Sequence, residues 1–350
     1  MNSGLHDPDS EGTQGVPDTR WAESPLVAGS SVCVTGAAGF IGSHLCEQLL
    51  ALGCDVTGVD SFHDYYPRHI KETNLRDLRA NSRFRLLEDD LLTLRQGNSR
   101  LQTAISESSF VYHLAAQAGV RASWGSSFRT YVDNNIYATQ LLLETVKESA
   151  VEKLVYASSS SVYGDSVTFP LHEEQRCTPV SPYGVSKLAC EHLCATYGAG
   201  FGVPGVSLRF FTVYGPRQRP DMGFHKFIKA ALTERKIRVY GDGLQTRDFT
   251  YVSDIVAALV RAAGAPNGLI ANVGGGSSVC LRDTLHLISD ITGHDLKIGY
   301  GASEPGDVRH TSASLEAART HLGYEPKVRL EEGLREEARW VEYALSEGLL

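Results

Sequence analysis

From Ser30 to about Phe210, apolar runs of strand length alternate with stretches that repeat at helical spacing. The runs "SVCVTG", "DVTGVD", "FRLLED", "FVYHLA", "KLVYAS" and "GVSLRF" read as strands, and helices are expected to begin near Phe40, Tyr66, Thr93, Ser126 and Ser181. Strand followed by helix, repeated, predicts an α/β fold with a parallel sheet covered on both faces. Beyond Thr212 the pattern loosens. "VYGPRQRPDMG" reads as loop, a helix starts near Gly223, "IRVYGDG" is a short strand and turn, and "VSDIVAALVRAA" is a helix. The expected division is a disordered tail over 1–29, a large domain over 30–211, and a smaller domain over 212–350. "LIANVGGG" is expected to return a strand near 269–274 to the large sheet.

A chain of 350 residues can bury more than one core. No apolar run reaches the eighteen or so residues needed to cross a bilayer. The formal net charge of -8 argues against nonspecific binding to nucleic acid or anionic lipid and leaves room for a local basic pocket. The seven cysteines form no Cys-x-x-Cys pair, and Cys190 and Cys194 lack His or carboxylate partners for a metal, so a cytoplasmic protein without a metal site is expected. The first two dozen or so residues are rich in Gly, Pro, Ser and acids and lack the layout of a signal peptide.

Two stretches carry chemistry. In "VCVTGAAGFIGSHL", Gly36, Gly39 and Gly42 lie between a strand and a helix that opens with Phe40 and Ile41. Glycines there permit a tight turn and close approach of backbone N–H groups to a pyrophosphate, or serve the turn alone. Asp60, at the end of the second strand, is placed to accept hydrogen bonds from an adenosine ribose, which favours NAD. Arg68 and Lys71 lie near enough in sequence to keep NADP open. Asp90 either reaches the adenine, with Leu91 against the ring, or caps a helix. In "SPYGVSK", Ser181 caps and Pro182 opens a helix that puts Tyr183 and Lys187 on one face. The pair is either a Tyr packed over a Lys stem or a phenol that its ammonium turns into a general base.

The blocks "TGAAGFIGSHL", "HLAAQAGV", "YVDNNIYAT", "ASSSSVYGD", "SPYGVSK", "RFFTVYGPRQRPDM", "GDGLQTRDFTYVSDI" and "GDVRHTSA" occur in order. Together they resemble the extended short-chain dehydrogenase/reductase family of nucleotide-sugar epimerases and dehydratases, from about Val32 to Tyr324. The resemblance implies a Rossmann-type, doubly wound parallel sheet binding NAD, a smaller C-terminal domain binding a nucleotide sugar, and a homodimer through the helices starting near Ser126 and Ser181. It makes Tyr183 the base for a sugar hydroxyl and Lys187 the partner of the nicotinamide ribose, with Ser159 as third member or Ser160 in its place. Leu114, Ala115, Ala116 and Asn134 are implied at the cofactor, though Asn134 also suits a helix cap.

For the sugar, Ser160 and Ser161 stand where dehydratases of the family carry Asp-Glu and decarboxylases keep a Glu at the second position. A hydroxyl cannot replace a carboxylate in the proton transfer of an elimination. Oxidation at C4, rotation of a 4-keto sugar and re-reduction remain, which is a 4-epimerase. A non-catalytic NAD-binding sensor is the other class, and such relatives lose the Tyr or Lys that this chain retains. Arg247, Arg309 and Asp307 are the expected contacts for the diphosphate or uridine, although Glu304 departs from the Arg or Gln of many relatives. "DSFHDYYPRHIKETNL", with Thr212 and Arg219, resembles UDP-glucuronate 4-epimerases. Arg219, or Arg217, could pair with a C6 carboxylate as a planar fork. The alternatives are phosphate or solvent contacts for both arginines and UDP-glucose as substrate.

Overall fold

The computed structural model describes residues 25–350, so all but 25–29 of the expected tail lies outside the described residues. Six strands follow in sequence: β1 (Ser31–Thr35), β2 (Asp55–Val59), β3 (Phe84–Leu87), β4 (Phe110–His113), β5 (Lys153–Ser159) and β6 (Gly205–Phe210). β7 (Thr212–Tyr214), β8 (Lys236–Tyr240), β9 (Thr246–Tyr251), β10 (Ile270–Val273), β11 (Ser278–Cys280) and β12 (Lys297–Gly301) complete the set. The main sheet runs β10-β6-β5-β4-β1-β2-β3, parallel throughout. Strand order reverses between β1 and β4, and the carboxyl ends there form the crevice in which doubly wound folds bind ligands.

Alternation along each strand feeds two cores. Val32, Val34 and Tyr112 belong to one, whereas Cys33, Val111 and Leu154 belong to the other. Helices Phe40–Ala51 and Val252–Ala262 pack on the first face. Helices Ser99–Ser106, Ala138–Lys147 and Pro182–Phe201 cover the second. The helix expected near Thr93 is a 3₁₀ turn, Leu91–Gln96, followed by an α-helix from Ser99. Pro182–Phe201 starts as its sequence dictates: Ser181 Oγ accepts the Gly184 N–H at 3.1 Å, and Gly202 ends the helix at φ 72°.

The C-terminal part builds a third core from helices Gly223–Leu232, Leu281–Thr292 and Leu330–Ser346 against β7 and β9. "VYG" was expected as loop, but Val213 and Tyr214 extend β7 and pair with β9. Among the described residues no helix is long and apolar enough to cross a membrane, and no cluster of His, Cys, Asp and Glu could hold a metal ion.

Candidate active site

A cleft opens at the carboxyl ends of β1, β2, β4 and β5, where doubly wound folds place their ligands. Its walls include Gly36, Gly39, Phe40, Ile41, Gly42, Asp60, Asp90, Leu91, Leu114, Ala115, Ala116, Asn134, Tyr183 and Lys187. Gly36 sits at φ 75°, and a Cβ there would lie 2.9 Å from the Ala115 nitrogen. A Cβ on Gly42 would collide with the Gly36 carbonyl oxygen. Only glycines let the turn close this tightly. No side chain caps the helix that begins at Phe40, so its first N–H groups and positive end face the cleft, as an anion site requires.

Asp60 anchors the other half. Its carboxylate accepts N–H bonds from Ala38 (3.1 Å) and Phe62 (2.8 Å) and an ion pair from Lys71 (3.3 Å). Arg68 is bound to both oxygens of Glu88, at 2.6 and 2.7 Å, and to Glu72. The two cations that kept a 2′-phosphate open are therefore already paired. Asp90 does cap: Oδ1 accepts the Leu92 N–H at 2.8 Å, and Oδ2 lies 3.2 Å from His63 Nε2. It nevertheless lines the cleft. These features together fit a dinucleotide.

Tyr183 and Lys187 share the inward face of their helix. Lys187 is 4% exposed, and its ammonium donates to the Ala157 carbonyl at 2.8 Å. Tyr183 packs edge-on against Tyr131, ring centres 6.2 Å apart. Ala157 and Ser158 line the cleft, whereas Ser159, Ser160 and Ser161 follow them in the strand end and 3₁₀ turn. Ser159 Oγ accepts the Ser161 N–H at 3.2 Å. The Ser161 carbonyl packs against Gly184, where a Cβ would collide, so the serine turn rests on the first turn beside Tyr183.

Asn134 lies within a π-helical turn, Val132–Tyr137, that continues into Ala138–Lys147, so it caps no helix end. Such turns recur at functional sites. Its neighbour Asn135 is the positioning residue that the sequence did not single out. Oδ1 accepts the Gln117 N–H at 2.7 Å, and Nδ2 donates to Gln117 O and to Ser186 Oγ. The doubled Asn was the available signal.

Arg219 faces the cleft, but Arg217 does not. Arg217 adopts φ 66° and turns to the Phe40–Ala51 helix, where Nη2 meets Glu47 at 2.5 Å and Nη1 meets Ser43 at 3.3 Å. Its expected role at the sugar is corrected by this pairing. Thr212 starts β7, two residues past Phe210, which lines the cleft; Thr212 does not. Arg247, Asp307 and Arg309 gather in a separate cluster. Arg247 donates to the carbonyls of Thr246, Val308 and Arg309, and burial lowers its guanidinium's proton affinity, offset in part by Asp307. Asp307 accepts Arg121, whose guanidinium stacks 4.1 Å from the Tyr240 ring centre. Arg309 pairs with Asp242 at 2.9 Å. Arg121, Tyr65, Tyr66 and Asp221 were missed. The "DYY" run was a usable signal for the tyrosines.

The family described as "NAD dependent epimerase/dehydratase family" matches residues 32–274. A UDP-glucuronate 4-epimerase of Thermodesulfobacterium geofontis is 38% identical, over 88% of this chain and 94% of its own. An uncharacterized UDP-glucose epimerase of Bacillus subtilis, YtcB, is 42% identical over 89% and 97%. The crystal structure of the Bacillus cereus UDP-glucuronic acid 4-epimerase, in complex with UDP-glucuronic acid and NAD, superimposes with a TM-score of 0.85 at 42% identity, covering 89% of this chain and 99% of that one. With the glycine turn, Asp60 and the Tyr183/Lys187 face in one cleft, the chain belongs to the NAD-dependent epimerase/dehydratase family of extended short-chain dehydrogenases/reductases.

Proposed function

We propose that the protein is an NAD-dependent 4-epimerase that interconverts UDP-glucuronate and UDP-galacturonate. The observation that carries this reading is Tyr183 and Lys187 in a dinucleotide cleft whose lining carries no carboxylate at their end. The acids lining that cleft are Asp60, Asp89 and Asp90, all at the ends of β2 and β3. An elimination needs an acid and a base at the sugar, which Ser160 and Ser161 do not supply.

NAD, when bound, supplies the acceptor and donor of the C4 hydride. Tyr183 Oη takes the proton from the sugar O4 and later returns it. Lys187, fixed on the Ala157 carbonyl, supplies a positive charge one helical turn away. Ser159 or Ser160 holds the same hydroxyl. Arg121, Arg247 and Arg309, outside the cleft lining, suit the UDP diphosphate, leaving the sugar free to turn and present its other face. Arg219 at the cleft suits a C6 carboxylate. That Asp221 already pairs with Arg219 favours a second reading, UDP-glucose as substrate, because a neutral sugar would leave no cation unpaired.

A homodimer is supported by the exposed Trp124, ahead of the helical run that starts at Gly125, Phe128 and Tyr137 within that run, and Val185 on the helix after Ser181. All seven cysteines are unpaired, which supports a reducing compartment such as the cytoplasm. Incubation with UDP-glucuronate or UDP-glucose without added reductant, followed by product separation, tests the reading. UDP-galacturonate with little UDP-pentose is expected, and Arg219→Ala should impair uronate turnover far more than turnover of UDP-glucose. A wild-type preference for UDP-glucose overturns the uronate assignment.

A further inference from the structure

Arg219 faces the cleft with its charge already engaged. Nε and Nη2 donate to Oδ1 and Oδ2 of Asp221, each at 2.9 Å, in the two-point geometry that guanidinium and carboxylate favour. Asp221 Oδ2 also accepts the Tyr65 hydroxyl at 3.2 Å. Tyr65 comes from the segment after β2, so this bond crosses from the dinucleotide-binding half to the loop that carries Arg219. Arg219, Tyr65 and Tyr66 line the cleft, and Asp221 stands behind them. The Arg219 side chain is about one-fifth exposed and that of Asp221 about one-third, so neither is locked away from exchange.

An unpaired guanidinium at this place would put an uncompensated charge beside the sugar. Paired with Asp221, it is neutral toward most ligands. A second carboxylate is the group that can take the place of the first with the same geometry. A hydroxymethyl group cannot, because it offers neither the charge nor the two parallel acceptors. The Tyr65 hydroxyl is placed to hold the Asp221 carboxylate once Arg219 has turned from it.

We propose that Asp221 is a specificity-determining residue: the resident carboxylate that Arg219 exchanges for the C6 carboxylate of a uronate substrate, with Tyr65 holding the released side chain. This rests on the uronate reading given under the proposed function. Because one ion pair replaces another, binding of the uronate is deliberately moderate, and the epimeric product, which carries the same carboxylate, leaves by the reverse exchange.

The test measures binding by calorimetry on NAD-loaded protein carrying Tyr183→Phe, so that no turnover intervenes, using UDP-glucuronate and UDP-glucose as probes. Asp221→Asn keeps the side-chain volume and removes its charge. It should tighten UDP-glucuronate by about tenfold, as expected for an uncompensated charge-assisted fork, and leave UDP-glucose within about twofold. Asp221→Ala, which cannot hydrogen-bond Arg219 at all, should move the ratio of the two affinities in the same direction. In the active enzyme, kcat for the uronate should fall in Asp221→Asn as product release slows. A ratio that is unchanged or reversed in both variants overturns the exchange and leaves Asp221 a mere support for Arg219. If the protein without Asp221 substitution shows no preference for UDP-glucuronate but the ratio still rises in both variants, the uronate reading fails and the exchange stands.

Discussion

Arg209 and Glu191 form a two-point ion pair inside the protein, Nε to Oε1 at 3.0 Å and Nη2 to Oε2 at 2.8 Å, with each residue 3% exposed. Glu191 lies four residues after Lys187 on the same helical face. It also accepts the Ser158 hydroxyl, just ahead of the serine turn. Arg209 reaches the far end of that turn, donating to the Tyr163 hydroxyl at 2.9 Å and to the Glu173 carbonyl at 3.0 Å. Tyr163 in turn donates to Asn272 of β10 at 2.7 Å. One pair thus joins the helix of Tyr183 and Lys187 to β5, β6 and the last strand of the sheet.

Removing half of this pair should be costly. Burial works against the Arg209 charge, yet its bonds to Glu191 keep the guanidinium firmly protonated. Arg209→Met would leave Glu191 buried and unpaired, a loss of about 3–5 kcal/mol. Urea unfolding at fixed cofactor concentration measures it. A loss below about 1 kcal/mol would mean that water reaches the site.

Tyr183→Phe should keep the fold, since the ring contact with Tyr131 survives the loss of one oxygen. Turnover should drop by about a hundredfold or more, the range for a positioned general base. Paired activity and melting measurements separate the two effects. Near-normal turnover would remove Tyr183 from the proton path.

The main sheet was legible because β1, β2 and β4 to β6 are largely apolar runs of strand length, three of them ended by Gly, Asp or Ser, and because Ser181-Pro182 and the glycine turn mark helix starts chemically. The C-terminal strands were not. "TVY" and "SVC" have three residues each, and "TRDFTY" mixes charge with aromatics, so their strand character comes from pairing across the chain. The same limit governs the site. Gly36, Asp60, Tyr183 and Lys187 act through local spacing and could be read. The partner of Arg217 could not, since Glu47 lies 170 residues away, nor could Tyr65, which lies 156 residues from the Asp221 that it holds beside Arg219. Nothing local shows which of two neighbouring arginines turns inward.

The glycine turn gives a prediction about the cofactor. In Gly42→Ala the new methyl would meet the Gly36 carbonyl, so the turn and the helix start must move apart. The N–H groups that face the cleft would then be misplaced. The protein should still fold but release its dinucleotide, seen as loss of NAD from the purified protein by mass spectrometry of the denatured supernatant. Full NAD occupancy in Gly42→Ala would show that the turn tolerates the shift. Mainly NADP in the wild type would contradict the pairing of Arg68 and Lys71 with carboxylates.

Three histidines, His113 and His225 buried and His44 largely so, set the acid limit of stability. Burial pulls His44 and His225 down to about 4 and His113 to about 3, with the nearby Arg217 charge adding to the effect at His44 and Lys187 at His113. Each is held neutral in a specific bond: His44 Nε2 donates to the Pro216 carbonyl at 2.9 Å, His113 lies between Thr35 and Thr139, and His225 Nδ1 donates to Gln218 O at 2.9 Å. In the unfolded chain a histidine titrates near 6.5. Above that pH both states are neutral and the groups cost nothing. As pH falls below it, the unfolded chain takes up protons that the native state refuses, so stability drops by about 1.4 kcal/mol per pH unit for each group, or on the order of 4 for the three. The loss levels off only when the native histidines protonate, near pH 4 and below. Urea midpoints between pH 7.5 and 5, above the range where most carboxylates titrate, should show this slope. His44→Gln, which retains a donor for Pro216, should remove about a third of it. A flat profile from pH 7 to 5 would mean that the three histidines are hydrated and titrate alike in both states.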